Sequence, residues 1–221
     1  MNAFQTLEFT IDNAIARIVL NRPTAANGIT LQMAEELAKA AIACEQTAGI
    51  RAILLSANGP MFSAGGDVKG FAAAGDHASA EIRQLMVSLH AAVAILARLP
   101  APVVIAVNGM AAGAGFSLAC GGDIVLAAES AQFTMAYTAI GLSPDAGATW
   151  HLPRLIGLRR SQELMLTNRR LTATEACDWG IVTRVVADDQ LSVETEKLLQ
   201  QLAAGPTSAY ASVKRLLNAS S

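Results

Sequence analysis

Charge is scarce in this chain: only 15% of its 221 residues are Asp, Glu, Lys or Arg, and the formal net charge is −2. Without a basic excess there is no field to hold a phosphodiester backbone, so no nucleic-acid partner is expected. Cysteine is scarcer still. Cys44, Cys120 and Cys177 are odd in number and far apart. They form neither a disulfide framework nor a CxxC zinc pattern; they read as reduced thiols of a cytoplasmic protein. There is no GxxxxGK[ST] phosphate loop, and Gly113-Ala114-Gly115-Phe116-Ser117-Leu118 lacks the third glycine of a dinucleotide fingerprint. Met1-Asn2-Ala3-Phe4 has no basic stretch or long apolar run, so no signal peptide is expected. Residues 99–120 carry no charge, yet Pro100, Pro102, Asn108, Gly109, Gly113 and Gly115 break them up. A buried strand, a turn and a short buried helix are expected there, and no membrane partner.

What the chain has in plenty is apolar surface: 52% of its residues are hydrophobic. That predicts one thick core or a large subunit interface. Leu7, Phe9 and Ile11 alternate with polar neighbours as a half-buried strand does, and residues 14–20 return after the Asp12-Asn13 turn. Residues 30–48 have helical spacing through Leu31, Ala34, Leu37, Ala41 and Ile42. Residues 79–99 predict an amphipathic helix with Ile82, Leu85, Met86, Leu89, Val93 and Leu96 on one face. Strands are predicted over 51–57, 103–107, 123–128, 132–136 and 181–186. Thr172 and Glu175 read as a capping box, and Pro206 opens a last helix reaching about Asn218. The order is strand, strand, helix, loosely repeated: α/β layering with parallel pairs.

Two small-residue segments follow buried strands. One is Phe62-Ser63-Ala64-Gly65-Gly66-Asp67-Val68-Lys69; the other is Asn108-Gly109-Met110-Ala111-Ala112-Gly113-Ala114-Gly115. They read either as plain tight turns or as two sets of backbone N–H groups aimed at one developing oxyanion.

These segments carry a resemblance. With Asn21-Arg22-Pro23, Gly122-Asp123-Ile124 and Ile140-Gly141-Leu142-Ser143-Pro144-Asp145, in this order and spacing, the whole chain resembles the crotonase (enoyl-CoA hydratase/isomerase) superfamily. The resemblance implies a spiral core of ββα units over residues 1–188. Residues 189–221 would start a C-terminal helical, trimer-forming region, shortened relative to the family. It implies an acyl-CoA thioester as substrate, a homotrimer or hexamer, and no metal or redox cofactor, since coenzyme A is part of the substrate.

Residue by residue, it implies an oxyanion hole from the N–H groups of Gly66 and Ala114. Coenzyme A would lie along Arg22, Ala25, Ala64, Gly66, Asp67 and Val68. Lys69 reads as a phosphate neighbour or a solvated surface lysine. The family's hydratases hold a water with two glutamates; the matching positions here are Ser117 and Tyr137, so that hydration is not expected. Asp145 reads by itself as a helix N-cap. The resemblance of its Pro-Asp motif, with Ala112-Gly113-Ala114-Gly115, to ring-1,2-epoxyphenylacetyl-CoA and Δ3,Δ2-enoyl-CoA isomerases makes it the acid/base of an allylic shift. Burial against Leu142, Trp150 and Leu152 would raise its pKa. His90 reads as a packed groove residue. The 4-chlorobenzoyl-CoA dehalogenase branch would instead make His90 a base and Asp145 a nucleophile, although Tyr137 and Leu89 stand where that branch has tryptophans. A non-catalytic acyl-CoA binding module is the remaining alternative. His77 and His151 read as loop or surface residues, and Phe116 and Trp150 as core or pocket wall.

Overall fold

The computed structural model describes residues 4–220. The chain runs β1 (Leu7–Asp12), β2 (Ile15–Leu20), α1 (Leu31–Gln46), β3 (Ala52–Ala57), β4 (Met61–Ser63), α2 (Val68–Ala73) and α3 (Ala78–Arg98). It continues through β5 (Val103–Val107), β6 (Met110–Ala112), α4 (Ala114–Cys120), β7 (Ile124–Ala128), β8 (Gln132–Thr134), α5 (Ala148–Ile156) and α6 (Leu158–Thr167). It closes with β9 (Leu171–Thr172), α7 (Ala173–Asp178), β10 (Arg184–Val186), α8 (Leu191–Ala204) and α9 (Thr207–Ala219).

One sheet has the order β1-β2-β3-β5-β7-β10 and the other β4-β6-β8-β9. Three times in succession a strand joins the large sheet, the next joins the small one, and helix follows: β3/β4, β5/β6 and β7/β8. Pairs between successive units are parallel, as crossovers through helices require. Each turn of this spiral therefore lays the C-terminal end of a short strand beside the end of its neighbour.

The large sheet is covered on both faces. Val103, Ile105 and Val107 of β5 and Val125 and Ala127 of β7 pack into the main core. Their alternates Val104, Ala106, Leu126 and Ala128 pack with Leu191, Leu199 and Leu202 of α8. Strands buried on both sides read as unbroken apolar runs, and for that reason β5 and β7 were plain in the sequence. The uncharged stretch 99–120 holds the expected buried strand, turn and short buried helix, with the short strand β6 between turn and helix.

Thr30 caps α1 by accepting the Met33 N–H at 3.2 Å. The Thr172–Glu175 capping box is present on α7. By length and composition Gly75–Arg98 would pass for a membrane span, but Leu85, Leu89, Ala92 and Leu96 of α3 are buried in the core. Two strands are shorter than predicted. β8 stops at Thr134 because Ala136 takes φ 55°, and the last strand begins only at Arg184.

Candidate active site

β4 and β6 are parallel neighbours, with Ser63 paired to Ala111. Their C-terminal turns therefore emerge side by side, Ala64-Gly65-Gly66 from one and Gly113-Ala114 from the other. They approach closely. Gly65 has φ +88°, and a Cβ there would lie 2.8 Å from the Ala112 oxygen and 3.1 Å from the Ala114 nitrogen. Only glycine fits both the left-handed angle and the gap.

An isolated parallel bridge joins Ile29 to Gly66. In it the Ile29 N–H donates to the Gly65 oxygen at 2.7 Å and the Asp67 N–H to the Ile29 oxygen at 3.0 Å. Such a bridge uses the groups flanking Gly66, so the N–H of Gly66 itself faces away from Ile29. Ala114 is the first residue of α4, where an N–H has no partner one turn back. Among the described residues neither N–H meets an acceptor. Both residues line one cavity of about 150 Å³, whose apolar wall includes Ile29, Phe71, Ile82, Leu85, Met86 and Leu142.

Asp145 supplies the only acidic side chain of that lining, and Tyr137 stands beside it. The Tyr137 hydroxyl donates to Asp145 Oδ1 at 2.5 Å. Ser117 Oγ lies 2.8 Å from the same hydroxyl oxygen. A phenol has one proton, and here it goes to the carboxylate, so the tyrosine oxygen accepts from Ser117. Burial pushes the Tyr137 hydroxyl well above its usual value, and the Asp145 charge pushes it further, so it stays a donor. Burial also raises Asp145; the Tyr137 bond works the other way and does not overcome it. The expected direction for Asp145 is present, but its surroundings differ. Leu142 shares the cavity, Trp150 lines the groove on the other side of Asp145, and Leu152 lines neither.

That hydrogen bond makes a prediction. Tyr137→Phe removes a donor that stabilises the charged carboxylate, so the Asp145 pKa should climb further; NMR titration of its side-chain carboxyl carbon reads the shift. An Asp145 pKa that does not rise would mean that the pair is not formed.

The helix-cap reading of Asp145 does not hold for its side chain. α5 is capped by Gly147 without any side-chain bond, and the carboxylate is left to face the cavity. His90 is exposed on α3, with Nε2 accepting the Ala146 N–H at 3.1 Å. Phe116 is core, 5.3 Å from the Phe133 ring, whereas Trp150 is exposed beneath the Arg154 guanidinium. His77 is exposed as expected. His151 corrects its surface reading: it is half-buried on α5, and burial lowers its pKa. Burial raises the thiols of Cys44 to about 11 and Cys120 to about 12, so neither is a ready nucleophile.

Of the residues expected along coenzyme A, Ala64, Gly66 and Val68 line the cavity, whereas Arg22, Ala25 and Asp67 do not. Ala64, Val68, Ala25 and Lys69 are exposed. Arg22 and Asp67 are paired at 3.2 Å, and Asp67 also accepts the Gly70 N–H, capping α2. The sequence reading missed the supports of the first turn. Asn27 is fully buried and donates to the Asn58 and Met61 carbonyls at 2.8 and 2.9 Å. Ser63 donates to the Asn27 oxygen at 2.8 Å and accepts the Gly65 N–H at 3.1 Å. The Asn27-Gly28 turn dipeptide was the available signal.

A model of the enoyl-CoA hydratase/isomerase family matches residues 10–221. The 1,2-epoxyphenylacetyl-CoA isomerase of Escherichia coli K12 is 37% identical over 209 residues, covering 94% of this chain and 80% of that one. The 4-chlorobenzoyl coenzyme A dehalogenase-2 of an Arthrobacter species is 33% identical over 203 residues, covering 91% and 74%. The crystal structure of an enoyl-CoA hydratase from Mycobacterium avium subsp. paratuberculosis matches with a TM-score of 0.91 at 31% identity, covering 100% of this chain and 87% of that one. Matched over nearly its whole length in both sequence and ββα spiral, the chain belongs to the enoyl-CoA hydratase/isomerase (crotonase) family of acyl-CoA enzymes.

Proposed function

We propose that this chain shifts the double bond of an enoyl-CoA between the 3- and 2-positions, with Asp145 carrying the proton. The carboxylate takes a proton from the α-carbon of a 3-enoyl thioester. The electron pair moves onto the thioester oxygen, which accepts hydrogen bonds from the Gly66 and Ala114 N–H groups as a dienolate. Asp145 then returns the proton to the γ-carbon, and the conjugated 2-enoyl thioester leaves. No atom is gained or lost, so one acid/base is enough. The coenzyme A portion runs over Arg22, Ala25, Ala64, Gly66, Asp67 and Val68, with Arg22 and Asp67 bracing the backbone through their own pair.

The observation that carries this reading is the Asp145 carboxylate, among the described residues the sole acidic side chain on a cavity that also holds two N–H groups without acceptors. Ser117 and Tyr137, the positions the family resemblance gives to water-holding glutamates, are hydroxyls already bonded in line with Asp145. Assembly as a homotrimer or hexamer is part of the proposal. It is supported by the exposed leucines 155, 158 and 166 on α5 and α6 and by Val213, Leu216 and Leu217 on α9.

The test is direct. Incubated with a 3-enoyl-CoA, the protein should raise the absorbance of the conjugated thioester with no change in substrate mass. A gain of one water would mean hydration. Halide release from a halobenzoyl-CoA requiring both His90 and Asp145 would mean dehalogenation. Tight binding without turnover across a panel of acyl groups would mean a binding module. Any of the three overturns the isomerase reading.

A further inference from the structure

We propose that His90 is a positioning residue, which holds the turn behind Asp145 by accepting the Ala146 amide and so keeps the carboxylate aimed into the cavity. The inference rests on the reading of Asp145 as proton carrier. It assigns His90 no contact with substrate.

Asp145 is followed by two residues in the left-handed region, Ala146 at φ +49° and Gly147 at φ +83°. Glycine takes such angles freely; alanine does so only when its surroundings impose them. This kink separates Asp145 from α5 and leaves Gly147 as the helix's N-cap. It also lets the carboxylate meet the Tyr137 hydroxyl.

Ala146 is fully buried, so water cannot satisfy its N–H. The partner is His90 Nε2 at 3.1 Å, contributed by α3 from 56 residues earlier in the chain. α3 is a firm base for it, because the neighbouring Leu89 is wholly buried in the core. Accepting an N–H uses the lone pair of Nε2. The imidazole is then neutral with its proton on Nδ1, and no ring nitrogen is left to deprotonate water or substrate. Remove the acceptor and the buried amide has no partner, the strained turn loses its tie to α3, and Asp145 is free to drift from Tyr137.

The test pairs His90→Ala with His90→Gln, whose amide oxygen can still accept the Ala146 N–H. His90→Ala is expected to lower kcat by about 10- to 100-fold with KM little changed. His90→Gln is expected to stay within about threefold of the parent in kcat. Amide hydrogen exchange at Ala146 should accelerate in His90→Ala and remain slow in His90→Gln. Nitrogen NMR of the parent protein should find the His90 proton on Nδ1. Two results would overturn the proposal: His90→Gln as slow as His90→Ala while its Ala146 amide stays protected, or an Ala146 amide equally protected in His90→Ala. Exchange and tautomer are readable without substrate. They therefore judge the clamp even where the isomerase assay itself fails, and Asp145 variants judge that reading separately.

Discussion

Asp145→Ala is expected to lower kcat on a 3-enoyl-CoA by about 10²–10⁴-fold, the span of a lost general acid/base, with thioester binding nearly unchanged. Coenzyme A contacts would persist because they belong to other residues. Asp145→Asn separates charge from shape: it keeps the volume and an oxygen for Tyr137, yet it cannot carry the proton, so its loss should match that of alanine. Turnover within a few-fold of the parent in either variant would remove Asp145 from the mechanism.

The same carboxylate fixes a pH dependence. Burial raises its pKa, and the base form is the charged one. Activity should therefore fall on the acid side at a pH above the ordinary aspartate value of about 3.9. Stability runs the other way. The folded state holds this proton more tightly than the unfolded chain, so the contribution is present at low pH and is lost as pH rises through the folded pKa. At neutral pH the buried charge costs stability, and Asp145→Asn should melt higher than the parent. The gap should close once pH falls below the unfolded value. A catalytic group kept at a cost to folding is the pattern in which removing it stabilises the protein.

Gly65→Ala should be nearly as damaging to turnover for a different reason. The new Cβ would sit 2.8 Å from the Ala112 oxygen and 3.1 Å from the Ala114 nitrogen, both of them backbone. Neither can rotate away, so the two turns must part, and with them the two amides. Loss of one oxyanion donor lowers kcat by about 10²–10³-fold, and that is the expected size here. Gly49→Ala is the control. Gly49 has the same φ of +88° but nothing within 4 Å of a new Cβ. It should show the backbone strain as a lowered melting temperature and leave kcat alone. Wild-type turnover in Gly65→Ala would show that the spacing of the two turns is immaterial to catalysis.

Much of the framework was legible before any coordinate. β5 and β7 announced themselves as uninterrupted apolar runs, and α3 as a stripe at helical spacing. α6 and α8 did not stand out, because each shows the core only a narrow set of residues, such as Ser161 and Leu164 on α6, among charged neighbours. Asp145, Gly66 and Ala114 stood out through the family resemblance that the Pro-Asp and small-residue segments carry. The supports of the first turn did not: nothing singled out Asn27. His151 read as a loop or surface residue.

Residue order alone determined where most of the strands and the strongly amphipathic helices form and which of their faces are apolar, because both follow from side-chain periods of two and about 3.6 within a few neighbours. It also determined that no carboxylate stands at Ser117 or Tyr137. Only the tertiary structure decided which amides stay unpaired, which hydroxyl meets Asp145, and what His90 holds. Those outcomes depend on strands and helices far apart in the chain lying side by side, and a distance across the fold leaves no mark in any local pattern.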